Sequence, residues 1–252
     1  MQSVKRAGGA AALTFLAALA GMALQSLFVN QLITDSRTSI ASVAGLVTLV
    51  LALVLGLLVW TSYGVFSTQM SESQALGGSI IQLDFALERY GPEAAPGRRL
   101  LKAEVLRARD RFFGDANKGP KAFTNAQSRA DMHEMNSFFA TLSPTTDDQR
   151  DRLAAAKQLA ATIVQTEMLM WRQIANPVPS LLFYTVLSWM ILLFFSFGFL
   201  AVINILTIFA VALGAAAVSS AIFLVLELSE PYSGLFRIRS RGIDLLIASL
   251  ID

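Results

Sequence analysis

Four long apolar runs flank one polar stretch in this chain, two before it and two after it. The first run, Ala7 to Val29, follows Lys5 and Arg6 and is interrupted only by Thr14, Gln25 and Ser26. The second extends from Ile40 to Tyr63, and between Leu46 and Trp60 nothing is more polar than Thr48. The third covers Val178 to Leu200, with Pro177 and Pro179 at its start, where a missing N–H does no harm. The fourth covers Ile203 to Leu228. A helix needs about 20 apolar residues to cross the hydrocarbon core, so each run predicts one membrane-spanning helix. Trp60, Tyr63, Tyr184 and Trp189 carry amphipathic rings suited to the headgroup zone. Only the neighbourhood of Asn204 is left to join the last two runs, which predicts a tight helical hairpin. A cleaved signal peptide is the other reading of the first run, with its basic start and small residues. That run is longer than a typical signal core, and a retained span is the expectation.

Between residues 67 and 176 the pattern changes to a helical stripe. Phe66, Met70, Ser73, Leu76, Ile80, Leu83, Leu87 and Tyr90 recur at spacings of three and four, close to a heptad. No breaker separates this stripe from the second run, so one long helix should leave the bilayer and end at Gly91-Pro92. Gly77 and Gly78 lie inside it, each weakening the helix by ~1 kcal/mol relative to alanine. A second helix after Pro96 should bury Leu101, Val105, Ala108 and Phe112. Its other faces carry Arg98, Arg99, Lys102, Arg107, Arg109 and Arg111. That cluster reads either as an attractor of anionic lipid or of a permeating anion, or as a solvated face balanced by Glu93, Glu104 and Asp110. Gly114 to Pro120 reads as a loop, and Met132, Met135, Phe139 and Leu142 mark a short helix. Ser143-Pro144 opens the last polar helix, with Thr145 and Asp148 as a capping box and Asp147 and Asp148 at the positive end of its dipole. Leu159, Ile163, Met170 and Ile174 form its stripe. The long first and last helices are expected to pair as an antiparallel stalk.

The fold class that follows is an all-α integral membrane protein: four transmembrane helices, with a helical polar domain inserted between spans two and three. Its expected parts are a hairpin over 1–66, the stalk over 67–176, a second hairpin over 177–228 and a C-terminal juxtamembrane segment over 229–252. In that last segment Pro231 and Gly234 make a turn, and Ile243 to Ile251 should form an amphipathic surface helix. Arg237, Arg239 and Arg241 are placed to contact anionic headgroups.

Composition supports this layout. The chain is 54% hydrophobic and only 15% charged, against about 25% charged in an average soluble domain. Every Lys and Arg except Arg37 lies on what four spans make a single side, so the positive-inside rule puts both termini and the middle domain in the cytoplasm. A net charge of +2 gives no reason to expect a nucleic-acid partner. With no cysteine and one histidine, His133, thiolate metal sites and paired imidazoles are excluded. Asp131, His133 and Glu134 do not share one helix face and read as solvent-exposed. No phosphate-binding loop, dinucleotide-binding glycine pattern or nucleophile elbow occurs, so neither an enzyme nor a cofactor is expected.

The remaining candidates lie in the last span. Ala210, Gly214, Ala217 and Ala221 place small side chains on one face, where another helix could approach closely, and Ser219 and Ser220 could hydrogen-bond there. Packing within one subunit and a pore-lining face are the two readings. Glu227, three residues before Glu230, either marks an ion path or internal partner, or caps the span at the headgroup level. Gln25 is a weaker case of the same kind. Glu227, Glu230, Ser219, Ser220 and Asn204 are therefore the candidate ion-path or interface residues.

Several stretches resemble one family. Ala52 to Val59 with Ser67-Thr-Gln69, then Leu83-Asp-Phe-Ala-Leu-Glu-Arg-Tyr-Gly-Pro-Glu93, then Glu227-Leu-Ser-Glu-Pro-Tyr-Ser-Gly-Leu-Phe-Arg-Ile238, together with Ser196-Phe-Gly198 and Gly214 to Leu228, are similar to the bestrophin-like membrane proteins of bacteria. The chain departs from that pattern at Ser229, where the family usually has aspartate, and at Val202-Ile-Asn204, where it has Pro-Arg-Asn. The resemblance implies a multi-pass protein of the bacterial inner membrane. By analogy with bestrophins, which are pentameric anion channels, it also implies a homo-oligomer in the lipid bilayer and a channel passing an inorganic anion. The other expectation is a non-conducting scaffold or sensor whose stalk binds a partner.

Overall fold

The computed structural model describes residues 2–26, 30–114, 125–174 and 180–250, and of residues 2, 30–36, 125–132 and 180 the backbone alone. The described residues are helical: α1 (Gln2–Gln25), α2 (Asn30–Tyr90), a 3-10 turn (Pro92–Ala94), α3 (Ala95–Phe113), α4 (Asn125–Thr141), α5 (Asp147–Ile174), α6 (Ser180–Leu200), α7 (Ile205–Leu228) and α8 (Arg241–Ser249). Four of these helices are long and apolar enough to cross a membrane: α1, α2, α6 and α7. The helix α2 runs through 61 residues without interruption. It starts ten residues before the expected span because nothing between Asn30 and Ile40 breaks a helix. Arg37, expected in a connection, lies on α2 and donates from Nη2 to the Leu200 carbonyl (2.9 Å), satisfying the exposed end of α6.

The chain divides into two compact units. One comprises Met1–Val65 and Val178–Ser229, the other Phe66–Pro177 and Glu230–Asp252. In the first, α1, α6 and α7 pack on one another, and Leu51, Leu55, Met190, Leu193 and Ile222 form the main core. The closest approach is between α1 and α6, where backbone meets backbone. A methyl group on Gly198 would strike the Ala18 carbonyl, and one on Gly21 would strike the Phe195 carbonyl. The small residues expected to admit a neighbour on α7 do less: Gly214 has only ordinary contact with the Phe194 ring. Outward, α2 presents Val43, Leu46, Leu49, Leu53, Leu57 and Trp60. The hairpin link is Ala201–Asn204, and Asn204 caps α7: its Oδ1 accepts from the Thr207 N–H (2.8 Å) and the Thr207 hydroxyl (3.0 Å).

In the second unit α2 and α5 run antiparallel. Gln69 bonds to the Met170 carbonyl and the Tyr90 carbonyl accepts from Gln149, so equal numbers of residues separate the two contacts on each helix. The core gathers Leu76, Ile80, Leu83, Leu87 and Tyr90 of α2, Leu101, Val105 and Phe112 of α3, Met135 and Phe139 of α4, and Leu153, Ala156, Ile163 and Met170 of α5. Tyr232, Leu246 and Leu250 complete it, so the segment read from sequence as a separate surface piece packs into this unit. Its helix α8 is strongly amphipathic, and an apolar core was available to take its Leu246 side. The cap of α5 also differs by one residue from the expectation. The Thr146 hydroxyl accepts from the Gln149 N–H (3.2 Å), and Gln149 Oε1 reaches back to the Thr145 N–H (2.8 Å). Gln149 thus supplies the return contact expected of Asp148. The turn after α2 needs Gly91, whose φ of 130° no L side chain adopts comfortably.

Candidate functional site

Most hydroxyls of the first unit are exposed and bonded to their own helices, but a few polar side chains turn inward near the C-terminal end of α7. Glu227 is only 2% exposed. Burying a carboxylate in a helical bundle is costly without a donor, and the Ser3 hydroxyl of α1 donates to Glu227 Oε1. Two residues on, the Ser229 hydroxyl donates to the Val225 carbonyl (2.6 Å) and lies 3.2 Å from the hydroxyl of Ser62, which is fully buried on α2. Three helices therefore bring polar groups to one place. Ser219 shares the buried side of α7, and its hydroxyl has no hydrogen-bond partner. Ser220 faces out and donates to the Ala217 carbonyl of its own helix (2.6 Å). Glu230 is exposed and accepts from the Ser233 hydroxyl (2.8 Å) in the turn beyond the span. Asn204 is taken up by its capping role, and Gln25 keeps a buried, unpaired Oε1 at the other end of α1. Of the residues read from sequence, only Glu227 and Ser219 share the interior face; Ser3, Ser62 and Ser229 were missed.

A second polar constellation, in the second unit, was also missed. The Tyr232 hydroxyl donates to Gln69 Oε1 (2.8 Å). Gln69 Nε2 donates to Gln173 Oε1 (2.6 Å) and to the Met170 carbonyl (3.3 Å), and Gln173 Nε2 donates to Glu72 Oε1 (2.8 Å). Rings of Phe112 and Phe113 each lie 5.4 Å from the Tyr232 ring, and the Trp171 ring lies tilted 4.9 Å from Phe112. Burial, with the Glu72 carboxylate adding to it, pushes the Tyr232 phenol well above its usual range. The apolar stripe of α2 thus ends at Leu76. Seven residues back, the buried position is Gln69 rather than the exposed Met70, and seven further back it is Ser62. Counting heptads back from Leu76 would have found both; hydropathy could not.

The basic cluster on α3 is neither a free patch nor balanced mainly from its own helix. Arg98 grips Asp84 of α2 with two bonds (2.8 and 2.9 Å), Arg107 reaches Glu134 of α4 (3.5 Å) and Arg111 faces Glu167 of α5 (3.9 Å). Arg109 bonds Asp244 of α8 (3.0 Å) and its neighbour Asp110 (3.1 Å). The Ser240 hydroxyl, then Arg109, hold the Asp244 carboxyl below its ordinary range; Asp84 and Asp244 in turn raise Arg98 and Arg109. One helix is tied by charge to four others. His133 and Glu134 are exposed, and the Asp131 side chain lies outside the described residues. Among the described residues no three His, Asp or Glu side chains are grouped to hold a metal.

The family model of the bestrophin-like domain matches residues 12–243. The chain belongs to the bestrophin-like family. Among curated proteins none matches. A solved crystal structure of a membrane protein superposes with a TM-score of 0.68 at 13% identity, covering 97% of each chain, which shows a shared fold. The bestrophin-like chain is accordingly an all-helical membrane protein. Its two densest family motifs act in the structure as described above. Asp84 and Tyr90 of the first hold α3 and the core, and Glu227 and Tyr232 of the second close the polar ends of the two units.

Proposed function

We propose that this bestrophin-like protein is a homo-oligomeric, channel-like protein of the bacterial inner membrane, passing small inorganic anions, with both termini and the second unit in the cytoplasm. The inward-turned polar cluster of Ser3, Ser62, Glu227 and Ser229 carries the reading. Polar groups kept inside an apolar bundle are expensive and tend to mark ion routes. The outward faces of α2 and α7 are aliphatic and fit lipid or a second subunit. Family membership favours anions over cations. A carboxylate repels an anion, so Glu227 acts by positioning Ser3 and α1 at the end of the passage rather than by binding the ion. No catalytic role is assigned.

The test is ion flux in liposomes and planar bilayers containing the purified protein. Chloride or nitrate conductance is expected, altered severalfold in Glu227→Gln. No conductance across varied anions, voltage and calcium would overturn the reading. A non-conducting scaffold is the second reading, favoured by Phe85, Leu106, Met168 and Leu169, which stand exposed on the second unit where a partner could bury them. A specific crosslinked partner without ion flux would decide for it.

A further inference from the structure

An open groove of about 760 Å³ runs along α2 of the second unit, between it and the segment ending in α8. Its walls are mostly apolar. Phe66, Met70 and Ile81 stand on the α2 side, and Ile243 and Leu245 on the α8 side. The floor is unusual in being made of glycine. Gly77 and Gly78 sit in the middle of a long helix, where glycine weakens the structure relative to alanine. Neither is needed for helix packing. A methyl group on Gly78 would meet nothing within 4 Å, and one on Gly77 would make ordinary contact with Leu246 at 3.5 Å. Gly242, at the start of α8, also lines the groove and is equally open. Bare backbone held open in this way suits the close approach of a ligand.

Charge says which ligand. Arg237 and Arg239 line the groove, and among the described residues lining it there is no acid. The acids adjacent to lining residues in sequence are turned elsewhere, Asp244 to Arg109 and Ser240, and Glu72 to Gln173. A largely apolar trough whose charged lining residues are both cationic, beside neutral Ser73, Gln74 and Ser249, is complementary to an amphiphile with an anionic head. In sequence, Phe66 follows Trp60, an aromatic residue at the end of a span, by six residues, so bilayer lipid is the local source.

We propose that this groove holds one anionic phospholipid from the bilayer, with an acyl chain over Gly77 and Gly78 and its phosphate at Arg237 and Arg239. The proposal is independent of conduction, because binding is measured without ion flow.

The experiment is titration of the detergent-purified protein with dioleoylphosphatidylglycerol, dioleoylphosphatidylcholine or inorganic phosphate, read by native mass spectrometry and melting temperature. One phosphatidylglycerol per chain is expected, bound about tenfold more tightly than phosphatidylcholine, with no effect of phosphate alone. Arg237→Gln with Arg239→Gln should erase the headgroup preference and leave chain-dependent binding. Gly78→Leu fills open space and favours the helix, so it should abolish retention of both lipids while oligomer mass stays unchanged and melting without lipid does not fall. Equal retention by Gly78→Leu and the parent chain, equal affinity for both headgroups, or an effect of free phosphate would overturn the proposal. So would a change in oligomer mass on Gly78→Leu, which would assign the groove to a second copy of the chain.

Discussion

Tyr232 shows how much one side chain can decide here. Its hydroxyl supplies the bond that Gln69 Oε1 needs in a buried site, and Gln69 orders Gln173 and Glu72 behind it. Tyr232→Phe keeps the ring packing and leaves Gln69 Oε1 unpaired, which should cost ~1–3 kcal/mol in unfolding of the detergent-solubilised protein. The phenol also sets a pH signature. Its folded-state pKa is raised above the unfolded value of ~10, so its contribution is whole below that pH. The contribution is lost as pH climbs toward the folded value, because the unfolded chain releases the proton first. Melting temperature should therefore fall on the alkaline side of pH ~10 in the parent chain and fall less steeply in Tyr232→Phe; identical alkaline slopes would remove the phenol from the account. Sequence reading placed Pro231 and Gly234 around this residue and saw only a turn, because a tyrosine flanked by Pro and Ser carries no periodic signal of burial.

At the scale of elements, the spans and the long helix α2 were plain in the sequence because lipid solvation demands unbroken apolar length, and no residue order hides that. The helices of the second unit were legible for a related reason, since their apolar stripes return every three or four residues. What periodicity does not carry is partner choice. The arginines of α3 look alike in sequence, and only the fold says that Arg98, Arg107, Arg109 and Arg111 each meet an acid on a different helix. Regularly spaced small residues drew attention to α7, and the close backbone approach within the chain lies between Gly21 of α1 and Gly198 of α6. Those two lone glycines mark the contact because backbone, and not a side chain, stands against each. Gly198→Ala is thus expected to destabilise the first unit by ~1–3 kcal/mol through overpacking. Gly56→Ala on α2, where a methyl group meets nothing within 4 Å, should be neutral or slightly stabilising. Unfolding by denaturant in mixed micelles separates the two; equal stability of both variants would mean that α1 and α6 do not approach as described.

For the molecule as a whole, the decisive fact is that neither unit is one stretch of chain. The second unit closes only when Tyr232, Leu246 and Leu250 join residues from four earlier helices. A chain ending at Ser229 should retain its spans and lose protection of residues 66–177 in limited proteolysis, and unchanged protection would show that the C-terminal segment is an accessory. Sequence reading separated 229–252 from the rest because two spans intervene, and hydropathy has no means of showing that the segments before and after that hairpin share a core. The same discontinuity governs how the protein is made. On the ribosome, the stretch 66–177 emerges while Tyr232 and the leucines of α8 are still untranslated, so its hydrophobic centre stays incomplete until the last span has been handed to the bilayer. Closure of the second unit thus waits on synthesis of the first unit's last helix, and a polypeptide stalled before that step leaves the apolar residues of that core uncovered.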